Sequence, residues 1–358
     1  MYTNFTHGGN VFAIARSLGV APEEMLDFSA SINPLGPPPG VREAVTAAFD
    51  RLGHYPDSGC TELAVALARR HGCADDNVCV GNGSTELIYL LPRVVAGKRA
   101  LLVAPTFAEY ALALSQAGWE FDRFLLSGGD GFSLDLALLR EALKREYGLL
   151  YLCNPGNPTG RLYGREEVAQ LLEVCRRAGT LLVVDEAFMD FCPDESVTGP
   201  VIESGAGVVL RSLTKFYAFP GLRLGYALAA APLAGRLAEL RMPWSVNTPA
   251  QAAGLAALAD EVFAVRSRSF VAAERAFLLK GLEKLPGVRV WPGAANYLLA
   301  RLEAGMTAAA LQERLLSGRI LIRDCANFEG LDGHFFRVAV RTREENERLL
   351  KALAAILA

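Results

Sequence analysis

The chain has 358 residues, 51% of them hydrophobic and 21% charged, with a formal net charge of -3. That is a globular composition with ample length for a buried core, and it excludes an extended disordered tract and the basic field that nucleic acid requires. No apolar run reaches the ~18 residues of a membrane span, and residues 1–10 lack the charged and apolar regions of a secretion signal.

Residues 1–40 read as a loop-rich segment that packs with the C-terminal part. From there to about residue 245, short apolar runs alternate with helical patterns. Residues 77–80 read as a strand, followed by Gly81-Asn82-Gly83 and a helix from Ser84. Residues 99–104 form a strand, then Pro105 and a helix through Gln116. Residues 149–153 form a strand that ends in Asn154-Pro155-Gly156-Asn157-Pro158. Residues 165–177 have helical spacing, with Val168, Leu171, Leu172 and Cys175 on one face. Residues 180–184 are a strand ending at Asp185, and residues 207–210 a strand ending at Arg211-Ser212. Residues 225–231 read as a further buried strand. Strands that are apolar throughout and separated by helices predict a mostly parallel sheet covered on both faces. After Met242-Pro243-Trp244 the pattern changes. Helices are expected at 252–259, 271–285, 308–316 and 344–357, with strands at 288–291, 296–301, 320–323 and 335–340. The division is therefore 1–40, 41–245 as a large domain, and 246–358 as a smaller α+β domain. Seven scattered cysteines without a Cys-x-x-Cys pair fit reduced thiols in a cytoplasm, and no metal site is expected.

Ligands of such sheets bind beyond the carboxyl ends of the strands, where the polar residues of this chain collect. Lys215, in Ser212-Leu213-Thr214-Lys215, follows a strand closely. Its amine can condense with an aldehyde if burial and nearby cations deprotonate it. Ser212, Thr214 and Arg223 offer hydroxyls and a fixed cation suited to a phosphate. Asp185 is a costly acid at the end of a buried strand unless a cation such as a protonated pyridine nitrogen pairs with it. Asn157 can donate to a ring hydroxyl. Gly83-Ser84-Thr85 opens a helix, where backbone N–H groups and the helix dipole favour an anion. Taken singly, these features read as a surface lysine, a turn and a helix cap. Their order and spacing make them one constellation.

With these motifs the sequence resembles the fold-type I pyridoxal-phosphate family, the aspartate-aminotransferase-like enzymes, over nearly its whole length. The resemblance implies an α/β fold with a mostly parallel seven-stranded sheet in a large domain and a smaller α+β domain. It implies pyridoxal phosphate held as a Schiff base on Lys215, with Asp185 at the ring nitrogen and Asn157 at the ring hydroxyl. Gly83, Ser84, Thr85, Ser212, Thr214 and Arg223 would hold the phosphate. Phe107 falls where the family stacks an aromatic ring on the cofactor. Tyr55, in His54-Tyr55-Pro56-Asp57, falls where a tyrosine crosses a homodimer interface to the partner's cofactor. Phe188 departs from the family, which often has a tyrosine there. Loss of that hydroxyl is expected to leave the Schiff-base pKa higher than in relatives that keep it, and a spectral pH titration of the bound cofactor tests this.

Two segments narrow the choice within the family. One is Thr6-His7-Gly8-Gly9-Asn10 with Ser29-Ala30-Ser31-Ile32-Asn33. The other is Arg323-Asp324-Cys325-Ala326-Asn327-Phe328 with Phe335-Phe336-Arg337. They resemble a branch that decarboxylates a phosphorylated amino acid, and less closely a branch that transfers the amino group of one. Such a substrate needs two anion sites, and Arg323 and Arg337 are the natural pair. The resemblance also places His7, Gly8, Ser31, Asn33 and Asn157 in the substrate pocket. Decarboxylases of this branch tend to have Asn where this chain has Ser31, whose side chain is shorter.

Overall fold

The computed structural model describes residues 7–303 and 305–358. Its strands are β1 (Leu26–Asp27), β2 (Val78–Gly81), β3 (Arg99–Ala104), β4 (Glu120–Leu125), β5 (Leu149–Cys153), β6 (Leu181–Asp185) and β7 (Gly207–Ser212). They continue with β8 (Gly225–Ala229), β9 (Val288–Trp291), β10 (Tyr297–Leu302), β11 (Ile320–Leu321), β12 (Arg323–Asp324) and β13 (Phe335–Ala339). Seven of them form one sheet in the order β2-β8-β7-β6-β5-β3-β4. Only β8 runs antiparallel to its neighbours; the other pairs are parallel.

The apolar strands are explained by their two covered faces. On one face, Leu102, Tyr151, Val183 and Val208 pack against Leu87, Tyr110 and Leu233 of the helices Gly83–Val94, Glu109–Gln116 and Ala231–Leu240. The alternate residues, Leu101, Leu150, Val184 and Val209, join a second core with Leu67 and Leu171 of the helices Thr61–His71 and Arg165–Ala178. Every residue of β5 is buried for this reason.

β4 is where sequence patterning misses. It lies at the sheet edge, half of it exposed, and carries Asp122 and Arg123. Edge charge of this kind blocks strand addition and hides the apolar signal. The first 40 residues also hold more structure than their loop-rich composition predicts. They contain the helix Val11–Leu18, and β1 pairs in parallel with β11.

A second sheet has the order β12-β13-β10-β9, all antiparallel. The helices Glu261–Leu282 and Arg343–Leu357 accompany it. The strand expected over 320–323 is divided. β11 pairs with β1, and β12 pairs with β13, so Ile322 marks a change of sheet. The change sets Arg323 directly across from Arg337. Among the described residues, no helix is long and apolar enough to cross a membrane and no His, Cys, Asp or Glu group is arranged to hold a metal ion.

Candidate active site

Four strand ends converge. Lys215 lies in the short helix Leu213–Phe216 immediately after β7. Its Nζ donates to Thr214 Oγ1 at 2.9 Å, and Thr214 Oγ1 lies 2.8 Å from Ser212 Oγ. Burial, then the Arg223 and Arg337 guanidinium groups, brings the Lys215 pKa down to about 8, against the pull of Asp185. An amine so placed is available as a nucleophile near neutral pH.

Asp185 closes β6 and is 4% exposed. Oδ2 accepts from Tyr110 Oη at 2.6 Å, and Oδ1 from the Ala187 N–H at 3.0 Å. Burial pushes its pKa up, while these donors and Lys215 pull the other way. Among the described residues no Arg, Lys or His comes within ion-pair distance of it. A buried acid in that position fits a protonated ring nitrogen, which would supply the missing charge.

The phosphate end of a cofactor meets a space that glycines keep open. Gly83 begins the helix Gly83–Val94 with φ +76°, and a Cβ there would lie 2.7 Å from Arg223 Nη2. A Cβ on Gly225 of β8 would lie 2.3 Å from the Ser84 nitrogen. The helix start therefore sits hard against the sheet. Its N–H groups, Thr85 in the same first turn, Ser212 and Arg223 fit a phosphate. This chain's residues thus fit pyridoxal phosphate at both ends.

A cavity of about 500 Å³ opens over Lys215, lined by His7, Ser31, Phe107, Asn157, Arg323 and Arg337 among others. Phe107 stands edge-on to Tyr110, with centroids 5.8 Å apart. Phe188 places its ring 6.0 Å from Lys215 Nζ and packs edge-on against Tyr297. Arg337 Nη1 donates to Asn157 Oδ1, Nη2 donates to the Ser29 carbonyl at 2.9 Å, and Nε is buried with no partner. Arg323 donates to Asn327 Oδ1 at 2.7 Å and lies over the Phe328 ring. Arg323 and Arg337 are 8% and 6% exposed and sit directly opposite across β12 and β13. Like charges in that register repel unless anions lie between or beside them.

Of the other expected residues, Gly8 packs so tightly that a Cβ would lie 2.1 Å from the Ser29 carbonyl oxygen. Ser31 Oγ is buried without a partner. Asn33 corrects an expectation. Its Nδ2 donates to the Phe216 carbonyl at 2.8 Å and to Ser267 Oγ at 2.9 Å, and its N–H donates to the Lys215 carbonyl. It fastens the loop beside Lys215 from behind and does not line the cavity. Tyr55 is 77% exposed, stacked on Trp244, and outside this cavity.

Tyr110 is a site residue that the sequence does not single out; it lies in the first turn of the helix Glu109–Gln116, and its hydroxyl reaches Asp185. Glu109, Tyr297 and Phe328 likewise carry no signal of a site role in the sequence. Beneath the site, Arg211 holds Glu186 and Asp190, each at 2.8 Å, with all three side chains nearly inaccessible.

The model of the family described as aminotransferase class I and II matches residues 23–353. A threonine-phosphate decarboxylase of Salmonella typhimurium is 44% identical over 356 residues, covering 99% of this chain and 97% of the relative. The crystal structure of L-threonine-O-3-phosphate decarboxylase from Porphyromonas gingivalis superposes with a TM-score of 0.81 at 28% identity, over 93% of this chain and 99% of that one. Histidinol-phosphate aminotransferase from Clostridium acetobutylicum gives a TM-score of 0.87 at 28% identity, over the same shares.

Proposed function

The chain belongs to the aminotransferase class I and II family, and from that premise we propose that it is a pyridoxal-phosphate-dependent carboxy-lyase of cobalamin biosynthesis. It removes carbon dioxide from L-threonine O-3-phosphate and leaves (R)-1-amino-2-propanol O-phosphate. The observation that carries this reading is the cross-strand pair Arg323 and Arg337, nearly buried beside Lys215, which suits a substrate with two anionic groups. The relative that is 44% identical over almost its full length supports it.

Lys215 would anchor the cofactor, Asp185 would face its ring nitrogen, Asn157 its ring hydroxyl and Phe107 its face. Gly83, Ser84, Thr85, Ser212, Thr214 and Arg223 would hold its phosphate. Bound pyridoxal phosphate supplies an electron sink for the bond that breaks at the substrate Cα. Arg337 is assigned to the α-carboxylate, because its charge reaches Lys215 and its Nε has no partner. Arg323 and His7, which also share an adjoining recess with Gly8, are assigned to the phosphate. Tyr110 holds Asp185 in place through Oδ2. Lys215 Nζ would return a proton to Cα after carbon dioxide leaves.

We further infer a cytoplasmic homodimer in which Tyr55 reaches the partner's cofactor. In support, Tyr55, Trp244, Met242, Phe49 and Leu52 are all exposed on the protomer, an apolar content that a second copy would cover. We also propose the division 1–40, 41–245 and 246–358; in support, the seven-stranded sheet lies within residues 78–229 and the four-stranded sheet within 288–339.

The test is an assay with L-threonine phosphate. Carbon dioxide release without 2-oxoglutarate is expected, from a yellow protein absorbing near about 410–430 nm. Glutamate formation from 2-oxoglutarate and histidinol phosphate, with no carbon dioxide, would replace this reading with an aminotransferase.

A further inference from the structure

We propose that Glu109 is a positioning residue for the substrate phosphate, holding the His7 imidazole at the cavity rim while Tyr89 holds Glu109. The assignment of His7 to the phosphate rests on the function proposed above.

The three side chains come from separate parts of the chain. His7 belongs to the N-terminal segment, Glu109 opens the helix Glu109–Gln116, and Tyr89 lies in the helix Gly83–Val94. His7 Nε2 is 2.6 Å from Glu109 Oε1, and Tyr89 Oη donates to Glu109 Oε2 at 2.6 Å. Both carboxylate oxygens are thereby engaged. The His7 ring also rests against Phe107, with centroids 5.3 Å apart. Its backbone is fixed by its neighbours, since Gly8 fits only without a Cβ and the Gly9 N–H donates to Ser29 Oγ at 2.8 Å.

The arrangement has a chemical consequence. An imidazole loses rotational freedom whenever it binds a ligand. Glu109 fixes that freedom beforehand and takes Nε2, so Nδ1 is the atom left for another partner. His7 and Arg323 line the same cavity, so a phosphate there meets donors from both residues. Tyr89 stays a donor because burial and the Glu109 carboxylate push its pKa up to about 12. The same helix whose first turn fits the cofactor phosphate thus braces the substrate end through Tyr89.

The test compares holoenzyme with E109Q, Y89F, H7Q and the H7Q/E109Q pair. Binding of inorganic phosphate is followed by calorimetry, and KM and kcat are measured with L-threonine phosphate. E109Q is expected to raise both the phosphate Kd and KM roughly tenfold, and Y89F roughly two- to threefold, with kcat within about twofold of wild type. The H7Q/E109Q pair should be no worse than H7Q alone within about twofold, since Glu109 acts through His7. A phosphate Kd in E109Q within about twofold of wild type, effects of H7Q and E109Q that add in full, or a loss confined to kcat would each overturn the proposal. If E109Q does not fold, Y89F with H7Q supplies the same cycle. A wild-type protein that releases no carbon dioxide would sink the decarboxylase reading, while the phosphate titrations still decide the role of Glu109.

Discussion

Lys215 has two inputs that can be separated by experiment. Burial is the larger cause of its lowered pKa and the Arg223 charge the next. At pH 7 a pKa near 8 leaves about one amine in ten neutral, against roughly one in 3,000 for an ordinary lysine. Capture of pyridoxal phosphate by cofactor-free protein should therefore speed up as pH rises to about 8 and then level off. R223Q removes a cation that disfavours the charged amine, so its midpoint should move to higher pH, separately from any loss of phosphate affinity. Stopped-flow absorbance checks this, and an unmoved midpoint would show that Arg223 does not act on Lys215. At this scale the sequence was informative where a residue's chemistry is rare for its position. Lys215 and Asp185 at strand ends could be named because each is expensive there without a partner. Asn33 could not be judged in the same way. Its amide is equally suited to a ligand or to a carbonyl, and only the approach of Phe216 and Ser267 decides between them.

Among the elements, the contact between β8 and the start of the helix Gly83–Val94 shapes the proposed phosphate cradle. G225A inserts a methyl where the Ser84 nitrogen and the Arg211 carbonyl oxygen already stand, at 2.3 and 2.9 Å from the Cβ position. The helix start must then move off the sheet. A stability loss of about 1–3 kcal/mol is expected, with weaker cofactor binding, and denaturation and fluorescence titration check the two separately. R211M addresses the ion cluster below. It leaves Glu186 buried without its cation and Asp190 with only Arg70, at 4.0 Å, and a loss of about 3–5 kcal/mol is expected. Burial raises the pKa of Glu186, so a folded state with this group ionised and unpaired is penalised. The deficit of R211M should accordingly grow as pH rises from about 4, and urea titrations at several pH values measure it. Elements covered on both faces were legible in the sequence, because burial makes them apolar throughout. β4 is not, since an edge strand answers to solvent on one side.

For the whole molecule, the expected homodimer makes a simple demand. If Tyr55 completes the partner's site, specific activity should fall on dilution as dimers separate, in step with sedimentation velocity on the same samples. A monomer with full activity would exclude the shared site. The sequence by itself determined the alternation of buried strands and helices, the family, and the cofactor constellation, because each depends on local patterning or on motifs carried by single strand ends. Only the tertiary structure decided that Arg323 faces Arg337, that Tyr110 braces Asp185 and that Glu109 grips His7. The physical reason is range. A strand that changes sheets at Ile322, or an N-terminal segment laid against a helix a hundred residues away, leaves no periodic trace in the chain. Such contacts exist only once the cores have packed and fixed which surfaces meet.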